Sequence, residues 1–279
     1  MASIDNFHAG SQHCAYQIVD PTTIMPPMAR REIGTPCLRL FCLPYAGGGT
    51  SIYSSWRKKL PLDVDLCALP FPGREHLWKE DLLTHLEPLI ERLVETIADK
   101  IDLPYAFFGH SLGGLVAFEL ARRLRFLYGT NPAYLFVSGC QSPHLAYRLP
   151  SIHSLPSGEF IDQLRRRYDG IPQVIFENPE WLECILPILR ADMAVLETYQ
   201  YKNEVPFSCP IYAFGGLEDK LIGFDALEAW RIHTAEAFEL QLYPGGHFFI
   251  HDTKLPLISV IAEQLQSAGW IPGEACESV

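Results

Sequence analysis

The sequence predicts an α/β protein: a mainly parallel sheet with helices on both faces and a helical insertion over one end. Three observations carry this reading. Six short apolar runs alternate with helix-length segments from Leu38 onward, the pattern of strands buried on both faces by their crossovers. A glycine-flanked serine sits where one apolar run gives way to a helical pattern. One long stretch, about Ser142 to Val205, breaks the alternation.

Residues 1–36 differ from the body. They are polar, carry Pro21, Pro26, Pro27 and Pro36, and show no sustained period. We read them as a weakly ordered extension, with residues 37–279 forming the folded domain. MASIDNFHAG lacks a basic start followed by an apolar run, so it does not read as a secretory signal. The predicted strands are Leu38–Leu43, Val64–Ala68, Ala106–Phe108, Tyr134–Ser138, Ile211–Phe214 and Glu239–Tyr243. Between the second and third, Leu82, Leu86, Leu89, Leu93 and Ile97 recur at helical spacing, predicting a helix over Leu82–Lys100. The insertion, about residues 142–205, places Phe160, Leu164 and Tyr168 four apart. A second helical stripe there holds Leu182, Ile185, Leu186, Leu189, Met193 and Leu196, with Pro187 expected to kink it. It reads as a lid over the carboxyl edge of the sheet. A helix at Ala226–Thr234 and a C-terminal one through Leu257, Ile258, Ile261 and Leu265 complete the series.

Composition narrows the function. Hydrophobic residues are 48% of the 279-residue chain, charged ones 20%, and the formal net charge is −11. A nucleic-acid binder needs a basic surface to neutralise phosphates, so that class is disfavoured. No apolar run reaches the length of a membrane span. The eight cysteines are scattered without a CxxC pair and read as small buried hydrophobes in a reducing, cytoplasmic setting. His13-Cys14 alone in a polar tail does not make a metal site.

The chemistry centres on Gly109-His110-Ser111-Leu112-Gly113, a G-x-S-x-G between a short apolar strand and a helix. That context is what a nucleophile elbow requires. The flanking glycines let the turn tighten, and the helix N-terminus favours the oxyanion formed on attack. A serine hydroxyl needs a base and an orienting acid, in the chain order serine, acid, histidine. Of ten histidines, His247 in YPGGHFFI is preferred over His251 and His233. His110 adjoins the serine but should point away. Asp219 follows the strand and Gly-rich turn of CPIYAFGGLEDKLI and is preferred as acid over Glu218 and Asp225. The expected oxyanion donors are the N–H of Leu112 and that of Ala46, with Tyr45 second, in the glycine-rich loop of LFCLPYAGGGT. No Gly-Lys-Ser/Thr follows that loop, so it is not a phosphate loop.

These motifs resemble one family, the type II (external) thioesterases of nonribosomal peptide and polyketide synthesis. The matching residues are Leu43-Pro44-Tyr45-Ala46-Gly47-Gly48, Pro72-Gly73-Arg74-Glu75 and Gly109 to Gly114. They continue with Leu186 to Asp192, Gly215 to Asp219, Trp230 and Gly245 to Phe249. The resemblance spans about Leu38 to Gln266. An arginine often follows PGRE by two residues in that family, where this chain has Leu77. The resemblance implies an α/β-hydrolase fold with a helical lid. It implies hydrolysis of acyl groups from the phosphopantetheine arm of an acyl- or peptidyl-carrier protein. The chemistry needs no metal or organic cofactor, and a monomer is expected. Ser111, Asp219 and His247 would be the triad, with Ala46 and Leu112 as oxyanion donors. The alternatives are an esterase on small oxygen esters, an acyltransferase or cyclase, and a non-catalytic binding protein of the same fold. Two arginine clusters are candidates for meeting an acidic carrier: Arg122, Arg123 and Arg125 after the elbow helix, and Arg165, Arg166 and Arg167 in the lid. The lid cluster is preferred because it is nearer the mouth.

Overall fold

A computed structural model describes residues 36–147, 149–168, 177–252 and 256–267, together with the backbone of Gln17 and Ile18. The strands are β1 (Gln17–Ile18), β2 (Leu38–Leu43), β3 (Val64–Ala68), β4 (Tyr105–His110), β5 (Tyr134–Ser138), β6 (Ile211–Gly216) and β7 (Phe238–Tyr243). They form a seven-stranded sheet in the order β1-β7-β6-β5-β4-β2-β3. Every neighbouring pair is parallel. The expected extension over residues 1–36 lies outside the described residues except for β1 and Pro36. The backbone of β1 extends the sheet beside Gln241 and Leu242.

The central strand sequences are mostly apolar because both faces are covered, while β2, β3 and β7 also carry Arg39, Asp65, Glu239 and Gln241. Alternation still sorts them. Phe41, Leu43, Phe107, Leu135 and Val137 face a core shared with helices α1 (Leu86–Ile97) and α2 (Leu112–Tyr128). Leu40, Cys42, Phe108, Phe136 and Phe214 face the opposite core, closed by Tyr53, Trp56 and the C-terminal helix. Helix α1 starts four residues later than the apolar period suggested, and Ala98–Lys100 continue it as a 3-10 turn. Helix α2 stops at Gly129, whose left-handed φ of 70° lets its N–H bond the Arg125 carbonyl.

The insertion holds α3 (Ser157–Arg167) and α4 (Pro179–Thr198), with no strand among its described residues. Asn178 caps α4 through its side chain, and Pro179 takes the first turn, where its missing N–H costs nothing. The helix runs on through Pro187. Ile152, Phe160, Leu164, Leu189 and Met193 form a small core of the insertion's own. The segment expected as one helix over Ala226–Thr234 is instead α5 (Phe224–Glu228) followed by a 3-10 turn, Ala229–His233. That turn buries Trp230, whose indole N–H donates to the Cys140 carbonyl at 2.8 Å. The last helix is α6 (Leu257–Ser267). The cysteines are mostly buried as expected, but Cys67 is half-buried and Cys184 is exposed on α4. Cys14 and Cys276 lie outside the described residues.

Candidate active site

In an all-parallel sheet the loops that can converge on one ligand lie at the carboxyl ends of the strands. The expected nucleophile, acid, base and loop donor lie there. Ala46 follows β2, Ser111 follows β4, Asp219 follows β6 and His247 follows β7.

Ser111 has φ 54° and ψ −119°, a conformation unfavourable for a residue with a Cβ. Its surroundings hold it there. Its N–H donates to the Ser138 carbonyl at 2.7 Å, and its carbonyl accepts from Gly114 at 2.9 Å. The elbow closes so tightly that a Cβ on Gly109 would strike the Gly113 carbonyl, and one on Gly113 would strike the Leu43 carbonyl. The two flanking glycines are therefore set by backbone against backbone, not by turn preference alone.

His247 Nε2 lies 3.0 Å from Ser111 Oγ, and its Nδ1 lies 2.8 Å from Asp219 Oδ2. The Asp219 side chain is wholly buried and that of His247 nearly so. The other oxygen of Asp219 accepts from the N–H groups of Leu221 and Ile222 at 2.8 and 3.1 Å. The carboxylate is thus fixed on both sides, with one oxygen left for the imidazole. Glu218 and Asp225 are exposed, and Asp225 lines the neighbouring cavity. His251 points elsewhere, its Nε2 3.0 Å from the Tyr45 hydroxyl. His233 is buried against Phe118 and Trp230. His110 is fully buried with Nδ1 2.9 Å from Ser138 Oγ. Burial holds its pKa well below the usual histidine range. An uncharged ring is therefore what faces His247, at 5.3 Å between centroids.

The loop after β2 leans on the insertion, and Ala46 packs against its small core. Gly47 N–H donates to Asp192 Oδ2 at 2.7 Å and Gly48 N–H to the Tyr45 carbonyl at 2.8 Å. The N–H of Leu112 heads α2, where first-turn donors have no intrahelical acceptor. Above the serine lies a cavity of about 470 Å³ that reaches Ser111 and His247. The insertion supplies Leu145, Tyr147, Leu149, Tyr168 and Leu196 to its wall. Tyr168 stands edge-on to the His247 ring, 5.8 Å between centroids. The insertion does lie over the site.

Three features went unrecognised in the sequence. Arg74 and Asp192 form a buried ion pair. Glu75, with a left-handed φ of 51°, accepts from the Thr50 N–H and hydroxyl at 2.8 Å each. Tyr45 is tied to His251. The available signal was Asp192 itself, a carboxylate within the apolar stripe of Leu189 and Met193.

A buried serine–histidine–carboxylate relay at a strand-to-helix elbow, on the carboxyl edge of a parallel sheet, defines the class as an α/β-hydrolase. Comparison with known proteins narrows this. The thioesterase domain family matches residues 38–265. The gramicidin S biosynthesis protein GrsT of Aneurinibacillus migulanus is 43% identical over 229 residues, covering 82% of this chain and 89% of that protein. RedJ, a thioesterase of the prodiginine pathway in Streptomyces coelicolor, superposes with a TM-score of 0.77 at 31% identity, covering 86% of this chain and 91% of its own. The type II thioesterase BorB of the borrelidin cluster superposes with a TM-score of 0.75 at 32% identity, covering 84% and 96%. This chain belongs to the thioesterase domain family and is a hydrolase of thioesters. No helix among the described residues is long and apolar enough to cross a membrane.

Proposed function

We propose that the chain removes acyl groups from the phosphopantetheine arm of acyl- or peptidyl-carrier proteins, as an editing thioesterase of nonribosomal peptide or polyketide synthesis. In this reading it works as a cytoplasmic monomer without metal or organic cofactor. The observation that carries the reading is the Ser111–His247–Asp219 relay at the foot of the cavity, with contacts of 3.0 and 2.8 Å. The pathways of GrsT, RedJ and BorB support the choice of carrier-bound substrates.

In this reading the mechanism runs through these residues. Ser111 Oγ attacks the thioester carbonyl carbon while its proton passes to His247 Nε2. Asp219, accepting from Nδ1–H, holds the tautomer that leaves Nε2 free and stabilises the imidazolium once formed. The N–H groups of Ala46 and Leu112 receive the oxyanion. Collapse breaks the carbon–sulfur bond, and the pantetheine thiolate takes the proton from His247. Water, deprotonated by His247, then attacks the acyl-serine, and Ser111 recovers its proton as the acid leaves. The largely apolar walls suit aliphatic acyl chains.

The test is hydrolysis of a panel of acyl groups loaded on carrier proteins, with the released products identified. Free acid should be the product, and Ser111→Ala should lose turnover by several orders of magnitude, about 10⁶-fold by the subtilisin precedent. An acyl ester or amide as product would make the chain a transferase. Near-normal turnover by a folded Ser111→Ala variant would remove the nucleophile from the reading.

A further inference from the structure

The oxyanion loop is too glycine-rich to hold itself. Gly47, Gly48 and Gly49 follow Ala46 without a side chain between them, and Gly47 has a left-handed φ of 75°. Within the loop, Gly48 N–H bonds the Tyr45 carbonyl at 2.8 Å; the other anchors come from outside. Asp192, on α4 of the insertion, accepts the Gly47 N–H on Oδ2 at 2.7 Å. The same carboxylate takes both terminal nitrogens of Arg74, Nη1 to Oδ2 and Nη2 to Oδ1, each at 2.7 Å. Arg74 Nη1 also donates to the Gly48 carbonyl at 3.2 Å, and its guanidinium lies over the Phe71 ring, 5.3 Å from the centroid. Both partners are nearly inaccessible, at 7% and 3% exposure. Leu189, one turn before Asp192, packs directly on the bare Cα of Gly47.

A fork-to-fork arginine–carboxylate pair fixes distance and angle together. A buried ion pair is seldom the most stable way to fill a core. This one grips an N–H and a carbonyl on either side of the peptide chain that follows Ala46. We propose that Arg74 and Asp192 are positioning residues of the oxyanion hole, setting where the Ala46 N–H points. The proposal rests on the proposed function, in which Ser111 is the nucleophile and Ala46 a donor. It also makes α4 part of the catalytic frame.

The test uses the full-length enzyme and a short N-acetylcysteamine thioester. The double variant Arg74→Met with Asp192→Leu fills the space with apolar side chains of similar length and leaves no unpaired charge. It should fold, yet Gly47 loses its acceptor. We expect kcat to fall about 100-fold, the low end for loss of an oxyanion donor. KM should stay within about threefold and the inflection of kcat/KM with pH unmoved, because His247 and Asp219 are untouched. Should the double variant not fold, Asp192→Asn serves instead. It keeps an acceptor for Gly47 but turns an amide towards Arg74, and it should show the same split with a loss of about tenfold. A folded variant with wild-type kcat, or one in which only KM rises, overturns the assignment. Ser111→Ala run in parallel separates the levels. If it is inactive while the pair variants keep full kcat, the positioning role fails and the nucleophile stands. If it stays active, the underlying reading fails.

Discussion

At the scale of single residues, the site depends on how few degrees of freedom remain to each group. Asp219 illustrates this. One oxygen is occupied by the Leu221 and Ile222 amides, so the other has a single direction left, and His247 lies along it. An amide at this position keeps the shape but can present an N–H to the ring, which selects the wrong tautomer. Asp219→Asn should therefore fold normally and lose kcat by about 10⁴-fold if the serine-protease precedent transfers. Asp225→Asn should do far less, since Asp225 is exposed on the cavity wall. Steady-state kinetics on one thioester substrate decide between them. If Asp225→Asn were the crippling change, the orienting carboxylate would be misassigned.

At the scale of elements, the elbow is where β2, β4 and α2 are forced together, and glycine is what permits it. A methyl group on Gly113 would meet the carbonyls of Leu43 and Pro44, which are backbone and cannot swing aside. Gly113→Ala should cost about 1–3 kcal/mol of stability, as overpacking does. It should also lower kcat, because the atoms displaced lead into the Ala46 loop. Gly158, on α3 with open space around it, is the control. Gly158→Ala should be neutral or stabilising by about 0.5–1 kcal/mol. Urea unfolding of both variants checks this, and equal stability would mean the elbow has slack that the contacts deny. Much of this element was legible in advance, because a G-x-S-x-G between an apolar run and a helical period leaves few other readings. The strand positions were legible for a similar reason: strands covered on both faces read as nearly continuous apolar runs. What was not legible was cross-chain pairing. Arg74 and Asp192 lie 118 residues apart, and no local period connects them. The break between α5 and its 3-10 turn was equally hidden, since the burial of Trp230 under Cys140 decides it rather than helical propensity.

At the scale of the whole molecule, charge sets the remaining problem. The chain carries a net −11, so long-range forces would oppose its encounter with an acidic carrier protein. A local basic surface must offset this. The elbow-helix cluster is already engaged. Arg122 pairs with Glu119 and Glu204, Arg123 with Glu91, and Arg125 with Glu204. Arg165 and Arg166 of the lid cluster are exposed at the end of α3, on the insertion that covers the cavity. Basic groups in a last helical turn also complement the helix dipole, by about 0.3–1 kcal/mol, so a purely structural role is the rival. The two separate by substrate. Arg165→Glu with Arg166→Glu should raise KM for an acyl-carrier protein by about three- to tenfold at low ionic strength, from lost electrostatic attraction. The effect should shrink at physiological salt, where exposed charges are screened within about 8 Å. Turnover of an N-acetylcysteamine thioester should not change, because that substrate brings no protein surface to recognise. If both substrates suffer alike at every salt concentration, the arginines hold α3 in place, and the carrier approaches by another face.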